Sequence, residues 1–251
     1  MYIDTHCHLS IEDYDDIDLV IKENLAAGVE KIIISGCTKD SIIESLDLAT
    51  KYDCVYVTIG FHPSEVNITS ESDLIFLKDH INDTKVVGIG EIGLDYHYGK
   101  DDIDKQKELF RKQMLIADEY DLPVVIHSRD AVNDTVSILK EFPNVHGDIH
   151  CFSGSLETAK EYLKMNYMLG IGGVVTFKNS NLYKVIEQIG VDNIIFETDS
   201  PYLTPEPFRG KKNSSKYIPY ISKKIAEILQ KDEEEIRKIV LDNTYRLFDL
   251  N

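Results

Sequence analysis

Short apolar, β-branched runs recur along the chain, separated by stretches in which apolar residues return every three or four positions. The runs predict strands over 1–6, 30–35, 54–60, 86–90, 123–127, 145–150, 167–172 and 193–197. The stretches between them predict helices over 17–27, 41–52, 105–120, 131–141, 156–165 and 182–189, with two more after the last strand, over 215–229 and 233–248. Breakers agree with these bounds: Gly28, Gly60, Gly93 and Gly190 fall at element ends or in loops, and Pro123 opens a strand, where its missing N–H costs least. Alternating β and α elements imply a parallel sheet with helical crossovers. Eight such strands favour closure into an α/β TIM (β/α)8 barrel over an open sheet. One long loop interrupts the pattern, 199–213, with Pro201, Pro205, Pro207 and Gly210. Loops of that length are more often functional than idle.

Five of the apolar runs end in metal-ligand residue types: His6 and His8, then Glu91, His127, His150 and Asp199. In a parallel barrel the C-terminal strand ends share one face, so these residues converge. His6 and His8 alternate on an extended chain and can face one ion together, with Cys7 turned to the other side. Glu91 has two carboxylate oxygens and can bridge two cations ~3.5–4 Å apart. His127 and His150, on neighbouring strands beside it, suggest a second metal position. Asp199 can bind the first ion and orient an attacking water. Taken singly, each has a plainer reading, as a backbone-bonded histidine, a rim ion pair or a helix cap; together they point to a divalent-metal hydrolase.

Further residues frame that centre. His62, in Gly60-Phe61-His62-Pro63, is assigned to the substrate. Arg129 either holds a substrate phosphate or pairs with Asp130 or Glu119. Arg209-Gly210-Lys211-Lys212 is a basic cluster that either binds phosphate or is a solvated loop. Asp95 and Tyr96 either line the site or cap a turn. Glu197 alternates with Asp199 and faces the same interior, while Cys7 and Cys151 read as packing residues.

Composition narrows the picture further. A length of 251 residues suits a single barrel domain over 1–251 and can bury a core without disulfides. The net charge of -17 argues against a broad basic face gripping duplex DNA. It leaves open a nucleic-acid substrate whose phosphates meet bound cations. The four cysteines form no Cys-x-x-Cys pair, so a thiolate zinc finger is not expected. Met1 leads straight into a predicted strand, and no apolar run approaches the ~20 residues that span a bilayer. The expectation is a cytoplasmic protein with no membrane association and no obligate protein partner. Mixed His and carboxylate ligation suits Zn, Mn, Fe, Co or Ni, and a carboxylate-rich pair tolerates Mg.

Five segments taken in order carry a resemblance over essentially the whole chain: Asp4-Thr5-His6-Cys7-His8, Gly60-Phe61-His62-Pro63, Gly90-Glu91-Ile92-Gly93-Leu94-Asp95-Tyr96, His150-Cys151-Phe152-Ser153-Gly154 and Glu197-Thr198-Asp199-Ser200-Pro201-Tyr202-Leu203. The chain resembles the TatD-type metal-dependent deoxyribonucleases of the amidohydrolase superfamily. The resemblance implies two divalent ions, one held by His6, His8, Glu91 and Asp199, the other by Glu91, His127 and His150. The reading adopted with it is a DNase with Glu91 and Asp199 as catalytic carboxylates, expected to be a 3′–5′ exonuclease on single-stranded or frayed DNA ends because an acidic protein then contacts few phosphates, with His62, Arg129 and Arg209 on the substrate phosphates. One departure is visible. Family members often carry Arg-Gly-Lys-Arg-Asn followed by proline, where this chain has Arg209-Gly210-Lys211-Lys212-Asn213-Ser214-Ser215-Lys216. That bears on the substrate loop and leaves the metal site untouched. Two other readings remain: a small-molecule amidohydrolase or esterase using the same binuclear site, and a non-catalytic metal-binding protein.

Overall fold

In the computed structural model every residue except Tyr98, Lys100 and Asn251 is described. The strands are β1 (Tyr2–Cys7), β2 (Val29–Gly36), β3 (Val55–Ile59), β4 (Val86–Asp95), β5 (Val124–Arg129), β6 (Gly147–Ile149), β7 (Tyr167–Ile171) and β8 (Ile194–Phe196). Each pairs in parallel with the next, giving one sheet of eight strands in chain order. The segment just past β8 closes the ring. Asp199 N donates to His6 O at 3.0 Å, His8 N donates to Ser200 O at 2.7 Å, and Cys7 and Ser200 form a parallel bridge. This is the expected (β/α)8 barrel, and its closing bonds lie at the C-terminal ends of the strands.

The helices are α1 (Ile17–Ala26), α2 (Lys39–Lys51), α3 (Glu71–His80), α4 (Ile103–Tyr120), α5 (Val132–Leu139), α6 (Leu156–Lys164), α7 (Leu182–Ile189), α8 (Ile218–Leu229) and α9 (Glu233–Leu247). Helix α3 was not among the expected elements. Its apolar residues, Leu74-Ile75-Phe76-Leu77, are consecutive rather than helically spaced, and only Leu74 and Leu77 are buried. Among the described residues no helix is long and apolar enough to cross a membrane.

Inward-facing side chains change character along the barrel axis. Ile33, Tyr56, Val87, Val125, Met168 and Ile195 form an apolar floor, completed by Phe248 and Leu250 of the C-terminal tail. Tyr56 Oη donates to Leu250 O at 3.1 Å, and Lys31 Nζ donates to the same carbonyl. Side chains alternate along a strand, so the next inward positions are two residues on. There the residues become Ser35, Thr58, His127, Gly170 and Glu197. The alternate positions, including Ile32, Ile34, Val57, Val124, Ile126, Leu169 and Ile194, pack outward in the cluster shared with the helices. A dry floor thus supports a polar mouth in the same eight strands.

Candidate metal centre

His6 and His8 leave β1 on the inward side. His6 is fully buried, with Nδ1 3.1 Å from Ser35 Oγ, which in turn lies 2.8 Å from Thr58 Oγ1. His8 Nδ1 lies 3.3 Å from the carbonyl of Ser35. A carbonyl only accepts, so His8 donates its Nδ1–H there and turns Nε2 toward Glu91. Both Nε2 atoms face Glu91, buried at the heart of β4.

The two oxygens of Glu91 divide the site. Oε2 lies 3.4 Å from His6 Nε2 and 3.7 Å from His8 Nε2. Oε1 lies 2.6 Å from His127 Nδ1 and 3.4 Å from His150 Nε2. Asp199 Oδ1 joins the first set, 3.5 Å from His8 Nε2 and 3.9 Å from His6 Nε2. The His6 and His8 Nε2 atoms are themselves 3.3 Å apart. Ligand bonds of ~2.1 Å place the corners of a tetrahedron about 3.4 Å from one another, so the spacings of 3.3 to 3.9 Å fit a small divalent cation, whereas His127 and Glu91 at 2.6 Å are directly hydrogen-bonded. His6, His8 and Glu91 thus form one set of ligand atoms, and Glu91, His127 and His150 form another, each gathered within 4.8 Å.

The second-position histidines are backed by carboxylates. His127 Nε2 is 3.2 Å from Asp95 Oδ2, and His150 Nδ1 is 3.4 Å from Glu197 Oε1. Asp95 is itself anchored, accepting from His97 N at 2.8 Å, while Gln106 clamps its backbone N–H and carbonyl, each at 2.9 Å. Glu197 Oε1 accepts from Cys151 N at 2.7 Å. Glycine at 170 makes room for Glu197, since a Cβ there would stand 2.2 Å from Oε2. The first-position histidines rest instead on neutral Ser35. Asp95, within hydrogen-bond reach of His127 Nε2, fixes that ring's tautomer and raises its basicity, and Glu197 acts on His150 through its charge, so the two positions differ in the donor strength of their imidazoles.

The electrostatics agree with cation binding. Burial pushes Glu91 upward, but His150, His127 and His6 outweigh it and hold the carboxylate well below its usual range. Burial also works against the charge on Asp199, and His8 with His150 and His6 overcomes it, keeping the group ionised. Burial alone would lower His150; Glu197 and Glu91 reverse this and push it up to about 10. Burial drives Asp148 well above the carboxylate range, with Glu197 adding to the effect. Both Asp148 oxygens and Glu197 Oε2 are buried without a hydrogen-bond partner. A barrel mouth with this many carboxylates is costly unless cations sit among them.

All six expected ligands therefore converge. His62 stands beside them, with Nε2 3.9 Å from Glu91 Oε1 and its ring edge-on to His127 at 4.5 Å. His62, Asp95 and His127 also gather ligand atoms within 4.8 Å. Arg129 ends β5 at the exposed rim, where its charge is felt by Asp95. Arg209 is engaged elsewhere, lying over the Phe177 ring at 3.9 Å and donating to Thr204 O at 2.8 Å. Lys212 donates to Asp13 O, and buried Asn213 ties the 199–213 loop to Thr198 O at 2.8 Å. Ser35 and the anchoring role of Asp95 had no marker in the sequence beyond period-two alignment with inward neighbours.

Comparison with known proteins accords with this geometry. The family profile described as "TatD related DNase" matches residues 3–249. The metal-dependent hydrolase YabD of Bacillus subtilis is 45% identical, with 100% of each chain covered. The crystal structure of YjjV, a TatD homolog from Escherichia coli, superposes with a TM-score of 0.91 at 32% identity, covering 99% of this chain and 98% of that one. A TatD-family hydrolase from Entamoeba histolytica shares the fold, with a TM-score of 0.87 at 24% identity over 100% and 98% of the two chains. With a whole-length profile match, close relatives of equal length and a barrel mouth that gathers the ligands, the chain belongs to the TatD family of metal-dependent hydrolases.

Proposed function

We propose that the protein is a two-metal deoxyribonuclease that hydrolyses phosphodiester bonds, acting as a 3′–5′ exonuclease on single-stranded or frayed DNA ends. The observation that carries this reading is the division of Glu91, whose Oε2 faces His6 and His8 and whose Oε1 faces His127 and His150. Paired divalent cations supply an acidified water and neutralise charge on phosphoryl oxygens. The chain's own residues do the rest. Asp199, ionised at the open side of the first set, is positioned to orient the attacking water and take its proton.

His62 is suited to the substrate. Burial lowers it to about 4, so it is neutral at physiological pH. Ser64 N donates to its Nδ1 at 3.1 Å, which leaves the proton on Nε2, facing the centre. A neutral donor there can hold a phosphate oxygen without forming an ion pair with Glu91. Arg129 at the rim offers a charged contact, and Arg209 becomes available only by leaving Phe177. A net charge of -17 supports a short contact with a strand end over a long grip on duplex.

The test is digestion of DNA labelled at either end, single- and double-stranded, by metal-stripped protein to which Mg²⁺, Mn²⁺ or Zn²⁺ is restored separately. The expected result is metal-dependent release of nucleotides from the 3′ end, lost in Glu91→Ala. Release from the 5′ end or internal cutting would overturn the polarity. Intact DNA with every metal would overturn the nuclease reading, and turnover of cyclic amides or esters by the same samples would replace it with a small-molecule hydrolase.

A further inference from the structure

The geometry points to Cys37 as a sulfur donor at the first ion position, which makes that position selective for thiophilic cations such as Zn²⁺, Co²⁺ or Cd²⁺ over Mg²⁺. This rests on the reading of a two-ion centre and is independent of whether DNA is the substrate. Cys37 directly follows β2, and inward alternation runs Ile33, Ser35, Cys37. Its Sγ lies 3.6 Å from Glu91 Oε2, the oxygen that His6 and His8 approach at 3.4 and 3.7 Å. With His6, His8, Glu91 and Asp199 the thiol makes a fifth donor, and neighbouring sulfur and oxygen ligands at ~2.3 and ~2.1 Å on a five-coordinate ion stand about 3.1–3.8 Å apart, so the thiol is at coordination spacing from its neighbour.

The thiol is also held in place. Cys37 N donates to Ser41 Oγ at 2.9 Å, and that hydroxyl belongs to the capping box that starts α2. By contrast Cys7, which stands between His6 and His8 in sequence, turns its Sγ to Ile33 O at 3.5 Å. Cys37 Sγ donates to Glu91 Oε2; a cation held there would take the sulfur as thiolate, its S–H proton passing to solvent. Soft sulfur favours zinc-like ions, whereas the second position, built from Glu91, His127 and His150, has only nitrogen and oxygen donors.

Cobalt substitution tests this directly. Metal-stripped full-length protein is titrated with Co²⁺ while bound cobalt is counted by elemental analysis. Visible d–d bands report occupancy, and a near-ultraviolet sulfur-to-cobalt charge-transfer band reports thiolate ligation. The wild type is expected to show the charge-transfer band for one of its two cobalt ions. Cys37→Ser and Cys37→Ala should lose it while retaining d–d bands, and Cys54→Ser should keep it. The preference for Zn²⁺ over Mg²⁺ should fall in Cys37→Ser by at least the ~10-fold that loss of even an outer-shell partner costs. Two bound cobalt ions in the wild type without the charge-transfer band would overturn the proposal, as would a band that survives in Cys37→Ser. Absence of bound cobalt altogether would overturn the two-ion reading itself.

Discussion

The oxygens of Glu91 face two sets of histidines that are supported differently, and this difference has measurable consequences at single residues. Asp95 touches the second set through His127 Nε2 and lies outside the first. Asp95→Asn is therefore expected to weaken the second ion by ~10–100-fold while leaving the first in place. Calorimetric metal titration would resolve the two steps, and equal weakening of both would contradict the asymmetry. His150 provides a second test. In the metal-free protein Glu197 and Glu91 raise it from 6.5 to about 10 against the effect of burial, so it is protonated at pH 7. Cation binding needs a bare Nε2 and must expel that proton, so affinity at this position rises with pH up to about 10. Titration at pH 7 in buffers of different ionisation enthalpy should reveal proton release; an identical heat in every buffer would refute it. For the metal-free fold the raised pKa acts oppositely, stabilising fully below 6.5 and fading as pH climbs through about 10. At this scale the six converging side chains were legible because histidines and carboxylates at the ends of apolar runs are rare. Ser35 was not, since a residue that acts through another carries no spacing of its own, and Asp95 was legible only as a choice between lining the site and capping a turn. Arg209 illustrates the converse: a basic motif is legible, but the Phe177 ring beneath it is not.

At the scale of elements, close approach of β4 and β5 sets the distance between Glu91 and His127. Gly93 makes that approach possible. It pairs with His127, has φ +141, and a Cβ on it would stand 2.0 Å from His127 O. Gly93→Ala sets a methyl against backbone in a conformation that L residues rarely adopt, and is expected to destabilise the fold by on the order of 3 kcal/mol. Urea unfolding of the metal-free variant would measure this, and an unchanged midpoint would show that the strands can part freely. The strand order was legible from the βα alternation alone. The extent of β4 was not: the apolar run stops near residue 90, yet the strand continues to Asp95 through a segment that holds Glu91 and Gly93. Helix α3 escaped for the opposite reason, because its unbroken apolar run lacks a helical period and leaves Ile75 exposed.

At the scale of the molecule, the barrel keeps its chemistry at one end and its dry packing at the other. The tail beyond α9 closes the floor, with Phe248 and Leu250 each 1% exposed against the inward residues of the strands. That contact joins the last residues of the chain to β2 and β3 and had no signature in the sequence, where a terminal Leu-Phe-Asp-Leu reads as the end of a helix. Phe248→Ala should cost ~3–5 kcal/mol and lower the melting temperature without changing metal stoichiometry. A variant that melts normally but binds fewer ions would mean that floor and mouth are not separable. The mouth itself depends on every strand end arriving together, so the location of bound ions tests the account as a whole. Anomalous diffraction from crystals soaked in Zn²⁺ or Mn²⁺ should show two peaks on opposite sides of Glu91, one among His6, His8 and Asp199 and one between His127 and His150. A single peak, or peaks that do not share Glu91, would contradict the two-ion centre.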